Sequence, residues 1–83
     1  MEMVDFYMDE TVMVIDARGE VAPLPLLQLR RALDKAATGQ SVELVSDDPA
    51  MASDIEMFMA ASGQELEASH EEGTAMRFRI RKS

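Results

Sequence analysis

The sequence predicts an α/β (α+β) two-layer sandwich with the order β-α-β-α-β-β, a four-stranded mixed sheet and two helices on one face. Three observations point there. A short β-branched run, Thr11 to Asp16, is followed by leucines at helical spacing. A second strand pattern, Ser41 to Ser46, is again followed by a helical stripe. In the closing segment, Met76, Phe78 and Ile80 alternate strictly with Arg77, Arg79 and Arg81.

The first run ends near Ala17, where Gly19, Pro23 and Pro25 break the extended pattern and make a loop. From Leu24 to Ala37 the apolar residues Leu26, Leu29, Leu33, Ala36 and Ala37 share one helical face, and Thr38-Gly39 closes it. The two prolines suit the first turn, whose N–H groups lack partners anyway. The path from Asp16 to Ser41 is long enough for a right-handed parallel crossover, giving one βαβ unit. Asp47-Asp48-Pro49 then supplies a capping acid and a proline at a helix start, and Met51, Ile55, Phe58 and Met59 form the stripe of a second helix ending at Gly63. Gln64 to Glu71 alternates, with Leu66 and Ala68 on one side and Glu65, Glu67 and Ser69 on the other, before a hairpin turn at Glu72-Gly73. The arginine row of the last strand is expected to pair across strands with Glu65, Glu67 and Glu71. Residues 1–10 form a candidate flexible tail, and 11–83 a single domain.

With 83 residues the chain holds one core at most, and the absence of cysteine removes both disulfides and thiolate zinc sites. Its Lys+Arg total of 8 against Asp+Glu of 16 leaves a net charge of -8, which argues against nucleic-acid binding and for a basic protein partner. No apolar run approaches a membrane span, and Met1 to Asp5 carries acids where a secretory signal would be basic; the expectation is a cytoplasmic protein with no membrane contact, either a monomer or a weak homodimer. Nothing in the sequence calls for a cofactor. A lone His70 makes neither a metal cluster nor a triad, Asp47, Asp48 and Asp54 lack the spacing of a calcium loop, and Met13, Met51, Met59 and Met76 fall on core stripes.

What remains is the loop Arg18-Gly19-Glu20-Val21-Ala22-Pro23-Leu24-Pro25, at the carboxyl end of a parallel strand, where open α/β sheets place ligands. The residue at position 22 precedes a helix N-terminus, a place where an anion or a thiolate is stabilised. Here it is alanine.

The string Asp16-Ala17-Arg18-Gly19-Glu20-Val21-Ala22-Pro23-Leu24-Pro25 resembles the D-x-R-G-x-x-C-P-x-P signature of the TusA/SirA-like sulfur-carrier family. Asp47-Asp48-Pro49-Ala50 and Asp54-Ile55 resemble its D-D-P-A and D-I elements, and Phe78 to Lys82 resembles its last strand. The resemblance implies a carrier that takes sulfane sulfur from a cysteine desulfurase as a persulfide and passes it on, for example to tRNA thiolation or sulfur oxidation. It also implies that the persulfide forms on the motif's cysteine, the position of Ala22. A methyl group offers neither a nucleophilic thiolate nor a reducible S–S bond. Val21 and Ser53 further stand where members of that family often carry basic residues.

Two readings accommodate Ala22. In the first, the chain is a non-catalytic binding or regulatory member of a sulfur relay, with no catalytic residue of its own. It presents Arg18 to Pro25 together with Asp47, Asp48 and Asp54 to a cysteine desulfurase or another sulfurtransferase. In the second, it is the inactive Cys-to-Ala form of a genuine carrier; codon 22 of the parent gene separates the two. An RNA-associated domain of similar fold is the reading that the acidic balance disfavours.

Overall fold

The computed structural model describes residues 6–8 and 12–83. Strand β1 spans Phe6–Met8 and β2 Val12–Asp16; helix α1 spans Leu24–Lys35, β3 Ser41–Ser46, α2 Met51–Ser62, β4 Glu65–Glu72 and β5 Ala75–Arg81. Strands β2 and β3 are parallel, joined across α1, and β5 runs antiparallel to both β3 and β4. The sheet order is β1-β2-β3-β5-β4. The β-α-β-α-β-β frame and its four-stranded mixed sheet are therefore as the periodicities require. To them β1 adds a short antiparallel edge against β2, within the segment expected as a tail; three residues between acidic neighbours carry too little pattern to reveal a strand. The rest of that tail, residues 1–5 and 9–10, lies outside the described residues.

Register explains the core. Met13 stands beside Val42, which stands beside Ile80, and one step along the row is Ile15, Leu44 and Phe78. Leu29, Ala32 and Leu33 of α1 and Met51 and Ile55 of α2 bury themselves against these same residues, so both helices cover one face of the sheet. Truncating Leu29 or Ile55 to alanine removes a fully buried side chain, a change that costs about 2–5 kcal/mol in such cores.

Several ends differ from the sequence reading. Helix α1 stops at Lys35 because Ala36 is extended (φ -75, ψ 150), so Ala37 is exposed and leads a separate turn in which the Gln40 N–H meets the Ala37 carbonyl at 2.9 Å. The last carbonyls of α1 are served from far away: Lys82 Nζ donates to Leu33 O at 2.6 Å. Ser83 Oγ donates to Gly63 O at 3.0 Å, and the Ser83 N–H to Gln64 Oε1 at 2.8 Å, just beyond the end of α2.

The face away from the helices carries the arginines. Arg77 Nη1 and Arg79 Nε donate to the two oxygens of Glu43 at 2.7 and 2.8 Å. Arg77 also meets Glu72 at 3.0 Å, and Arg81 meets Glu65 at 3.1 Å and Glu67 at 3.4 Å. Ser41 Oγ donates to Glu67 Oε1 at 2.9 Å. Lying over β3, these long side chains help keep all six of its residues buried.

The expected pairing with Glu71 is wrong, and the cause is a register shift between Leu66 and Ala68. One extra residue in a strand turns every later side chain to the opposite face. Leu66 stays opposite Ile80 on the helix side, whereas Ala68 falls opposite Arg79 on the charged side; Glu71 lands opposite Met76 and Glu72 takes its place beside Arg77. The hairpin turn is correspondingly Gly73-Thr74. Gly73 has φ 64 and is the only turn residue at positive φ, the pattern of a two-residue type II′ turn.

Candidate functional site

The loop from β2 into α1 is built on backbone and carboxylates. The Ala17 N–H donates to Val45 O at 2.8 Å, extending the strand pairing by one residue, and the Glu20 N–H returns to Ala17 O at 3.1 Å. That tight turn places Gly19 at φ 85, where a side chain would be strained by about 1–2 kcal/mol although the space around it is open. Asp16 fixes Arg18: its Oδ1 accepts from the Arg18 N–H at 3.1 Å and from Nε at 2.9 Å, and its Oδ2 accepts from Nη2 at 2.6 Å. The hydrogen-bonded guanidinium holds the Asp16 carboxyl at about 2, well below the ordinary aspartate value. Arg18 is therefore committed to a neighbour two residues away.

The second loop, after β3, braces the first. Asp47 accepts the Gly19 N–H on both oxygens at 3.0 and 3.2 Å. Asp48 accepts the Ala50 N–H on Oδ1 at 3.0 Å and the Ala22 N–H on Oδ2 at 2.9 Å, while its own N–H donates to Ser46 Oγ at 3.1 Å. The two backbone donors, Ala50 first, lower the Asp48 carboxyl below its ordinary range. Although the regular turns of α2 begin at Met51, Ala50 already has helical angles (φ -81, ψ -7), so Asp48 does the work of a capping acid. It caps one helix and pins the approach to the other.

Position 22 is consequently a poor cradle for negative charge. Its amide already serves a carboxylate, and the Leu24 N–H turns back to Val21 O at 3.1 Å. Pro23 and Pro25 have no N–H to offer. The helix N-terminus expected to stabilise an anion there is thus largely stripped of donors and bracketed by Asp47 and Asp48.

Of the other residues singled out from the sequence, Pro25 is fully buried. Asp54 sits half-buried in the first turn of α2 and Glu20 is also half-buried, whereas Ala22 and Pro23 are exposed. Val21 is 70% exposed and Leu24 44%. The sequence reading missed Leu27, 47% exposed, which continues the spacing 21, 24, 27 as an apolar stripe running from the loop down α1. That three-residue spacing was visible in the sequence; the outward direction of the stripe was not. It also missed Ser46, whose hydroxyl orients Asp48.

Comparison with known proteins matches these features to one group. Residues 13–82 fit the family model described as Sulfurtransferase TusA. The chain belongs to the TusA family. Among relatives, the Sulfur carrier protein TusA of Allochromatium vinosum is 36% identical over 69 residues, covering 83% of this chain and 91% of that protein. The Putative sulfur carrier protein YrkI of Bacillus subtilis is 28% identical over 69 residues, covering 83% and 92%. The crystal structure of a SirA-like protein from Desulfitobacterium hafniense superposes with a TM-score of 0.73 at 21% identity, over 86% of this chain and 96% of that one, which shows a shared fold.

This TusA-family chain has no cysteine anywhere, and in the motif that resembles the family signature the residue in question is Ala22. His70 lies on exposed β4, 3.9 Å from Glu72. Among the described residues, no helix is long and apolar enough to cross a membrane.

Proposed function

We propose that this chain is a non-catalytic binding member of a sulfur relay, which docks on a cysteine desulfurase or another sulfurtransferase through the rim formed by Arg18 to Leu24, Asp47 and Asp48. The observation that carries the reading is the bracing of the loop. Asp47 and Asp48 hold Gly19 and Ala22 in place across two connections, although no sulfur is there to be positioned. Val21, Leu24 and Leu27 give the rim an apolar contact stripe, and the surrounding acids select a partner with cations at its margin. The likeness to a relative described as a sulfur carrier is what makes a sulfur-donating or sulfur-accepting protein the proposed partner. A module of this kind occupies a carrier's docking site and transfers nothing.

The experiment is persulfide transfer from a cysteine desulfurase to a cysteine-bearing TusA-family carrier, with this chain titrated in. The expected result is competitive loss of transfer while the intact mass of this chain stays unchanged. Leu24→Asp should relieve the competition at undiminished thermal stability, and Asp47→Lys should relieve it with some loss of stability, since Asp47 also braces Gly19. A gain of one sulfur, or transfer indifferent to a large excess of the chain, overturns the proposal.

A further inference from the structure

Strand β4 is an open edge of unusual extent for this molecule. It is eight residues long, about 26 Å at the rise of an extended chain, and every residue in it is exposed. One side pairs with β5; on the other, no strand stands among the described residues, and the opposite edge of the sheet is the three-residue β1. The helices do not reach over it, since Leu66, Ser69 and Glu71 on the helix-side face are all exposed. Its backbone donors and acceptors are thus a template for another strand.

The charge on that edge selects what can be added. Glu65, Glu67, Glu71 and Glu72 lie on β4, which has no Lys or Arg. The arginines of β5 are committed inward, to Glu43, Glu65, Glu67 and Glu72, and do not offer themselves to an acidic partner. Among the described residues Glu71 meets no cation. A second copy of β4 would bring the same acids against them, and like charges facing across strands repel. We propose that β4 is a docking edge for an extended, lysine-bearing segment of another protein, which joins the sheet as a further strand by backbone pairing and is chosen by Glu71, the acid of the strand that the arginines leave unpaired. The exposed Leu66 gives that segment one apolar contact on the helix side. The proposal stands whether or not the rim binds a desulfurase.

The probe is a labelled ten-residue peptide of alternating valine and lysine, titrated against the full chain by fluorescence anisotropy and by backbone amide shifts. Saturable binding is expected, with shifts concentrated in residues 65–72, and Glu71→Lys should weaken it about fivefold. Methylating alternate backbone nitrogens of the peptide keeps its charge and removes its ladder donors; binding should then be lost. The proposal is overturned if the methylated peptide binds equally well, if shifts gather at Asp47 and Asp48, if a valine–glutamate peptide binds as tightly, or if the chain alone self-associates through residues 65–72.

Discussion

Ala22 exposes a competition between two electrostatic effects. A helix N-terminus presents roughly half a positive charge, whereas a carboxylate presents a full negative one at comparable range. In this chain the Asp48 carboxylate touches the amide of residue 22 itself, Asp47 holds the amide of Gly19, and Arg18 is neutralised by Asp16. The carboxylates win. Ala22→Cys is therefore expected to give a thiol whose pKa does not fall below the unperturbed value of about 8.5. The rate of iodoacetamide alkylation against pH measures this, and a midpoint well under that value would mean that the helix end dominates after all. Sequence reasoning placed residue 22 correctly in the loop ahead of the helix but expected the reverse sign. It counted the helix end and could not see that Asp47 and Asp48, more than twenty residues away, point their oxygens at the same loop.

At the level of single elements, what could be read depended on the period. The last strand declares itself because its apolar and cationic residues alternate without a break, and β3 with α2 follows from a short apolar run and a capping acid before a proline. The bulge in β4 leaves no such trace, since neither Glu67 nor Ala68 is a residue type that marks one. Missing it exchanged Glu71 for Glu72. Glu43 was missed for a different reason: an acid inside a β-branched run looks like a solvent-facing position, yet here its side chain is 11% exposed and two arginines converge on it. Burial pushes the Glu43 carboxyl up, and the hydrogen bonds from Arg77 and Arg79 more than reverse this, leaving it below its ordinary value. Glu43→Gln takes from Arg79 its carboxylate partner and leaves Arg77 with Glu72 alone. The expected cost is about 1–3 kcal/mol in urea unfolding, less than for a wholly buried pair because Arg77 and Arg79 still touch water. A loss under about 0.5 kcal/mol would show that the network contributes only surface-type pairing.

For the molecule as a whole, the network sets the response to acid. Asp16, Glu43, Asp48 and Glu72 all have folded values below their ordinary ones. As pH falls the unfolded chain takes up these protons first, so the stability they contribute is complete above the ordinary value of about 4.5 for glutamate and is lost on descending through the folded values, that of Asp16 being about 2. Two opposing trends meet above that window. Mild acidification relieves the repulsion of a chain carrying a net charge of -8, and only below pH 4.5 does the loss of paired carboxylates take over. Urea midpoints measured from pH 7 to pH 2.5 should therefore hold or rise slightly towards pH 5 and then drop; a midpoint unchanged from pH 5 to pH 2.5 would show that these pairings contribute nothing. The same global view separates what sequence can carry from what it cannot. Element order and the buried stripes follow from local patterning, while the site is assembled from two loops that meet only once β2 and β3 are parallel neighbours.

Lys82 reaches back to the Leu33 carbonyl in the last turn of α1, and Ser83 to Gly63 and Gln64 just beyond α2, so the ends of both helices are fastened to the extreme carboxyl side of the described chain. Shortening the protein at Arg81 would leave every strand in place and remove hydrogen bonds only at the ends of the two helices, so the loss should show as faster amide exchange there before it shows in the sheet.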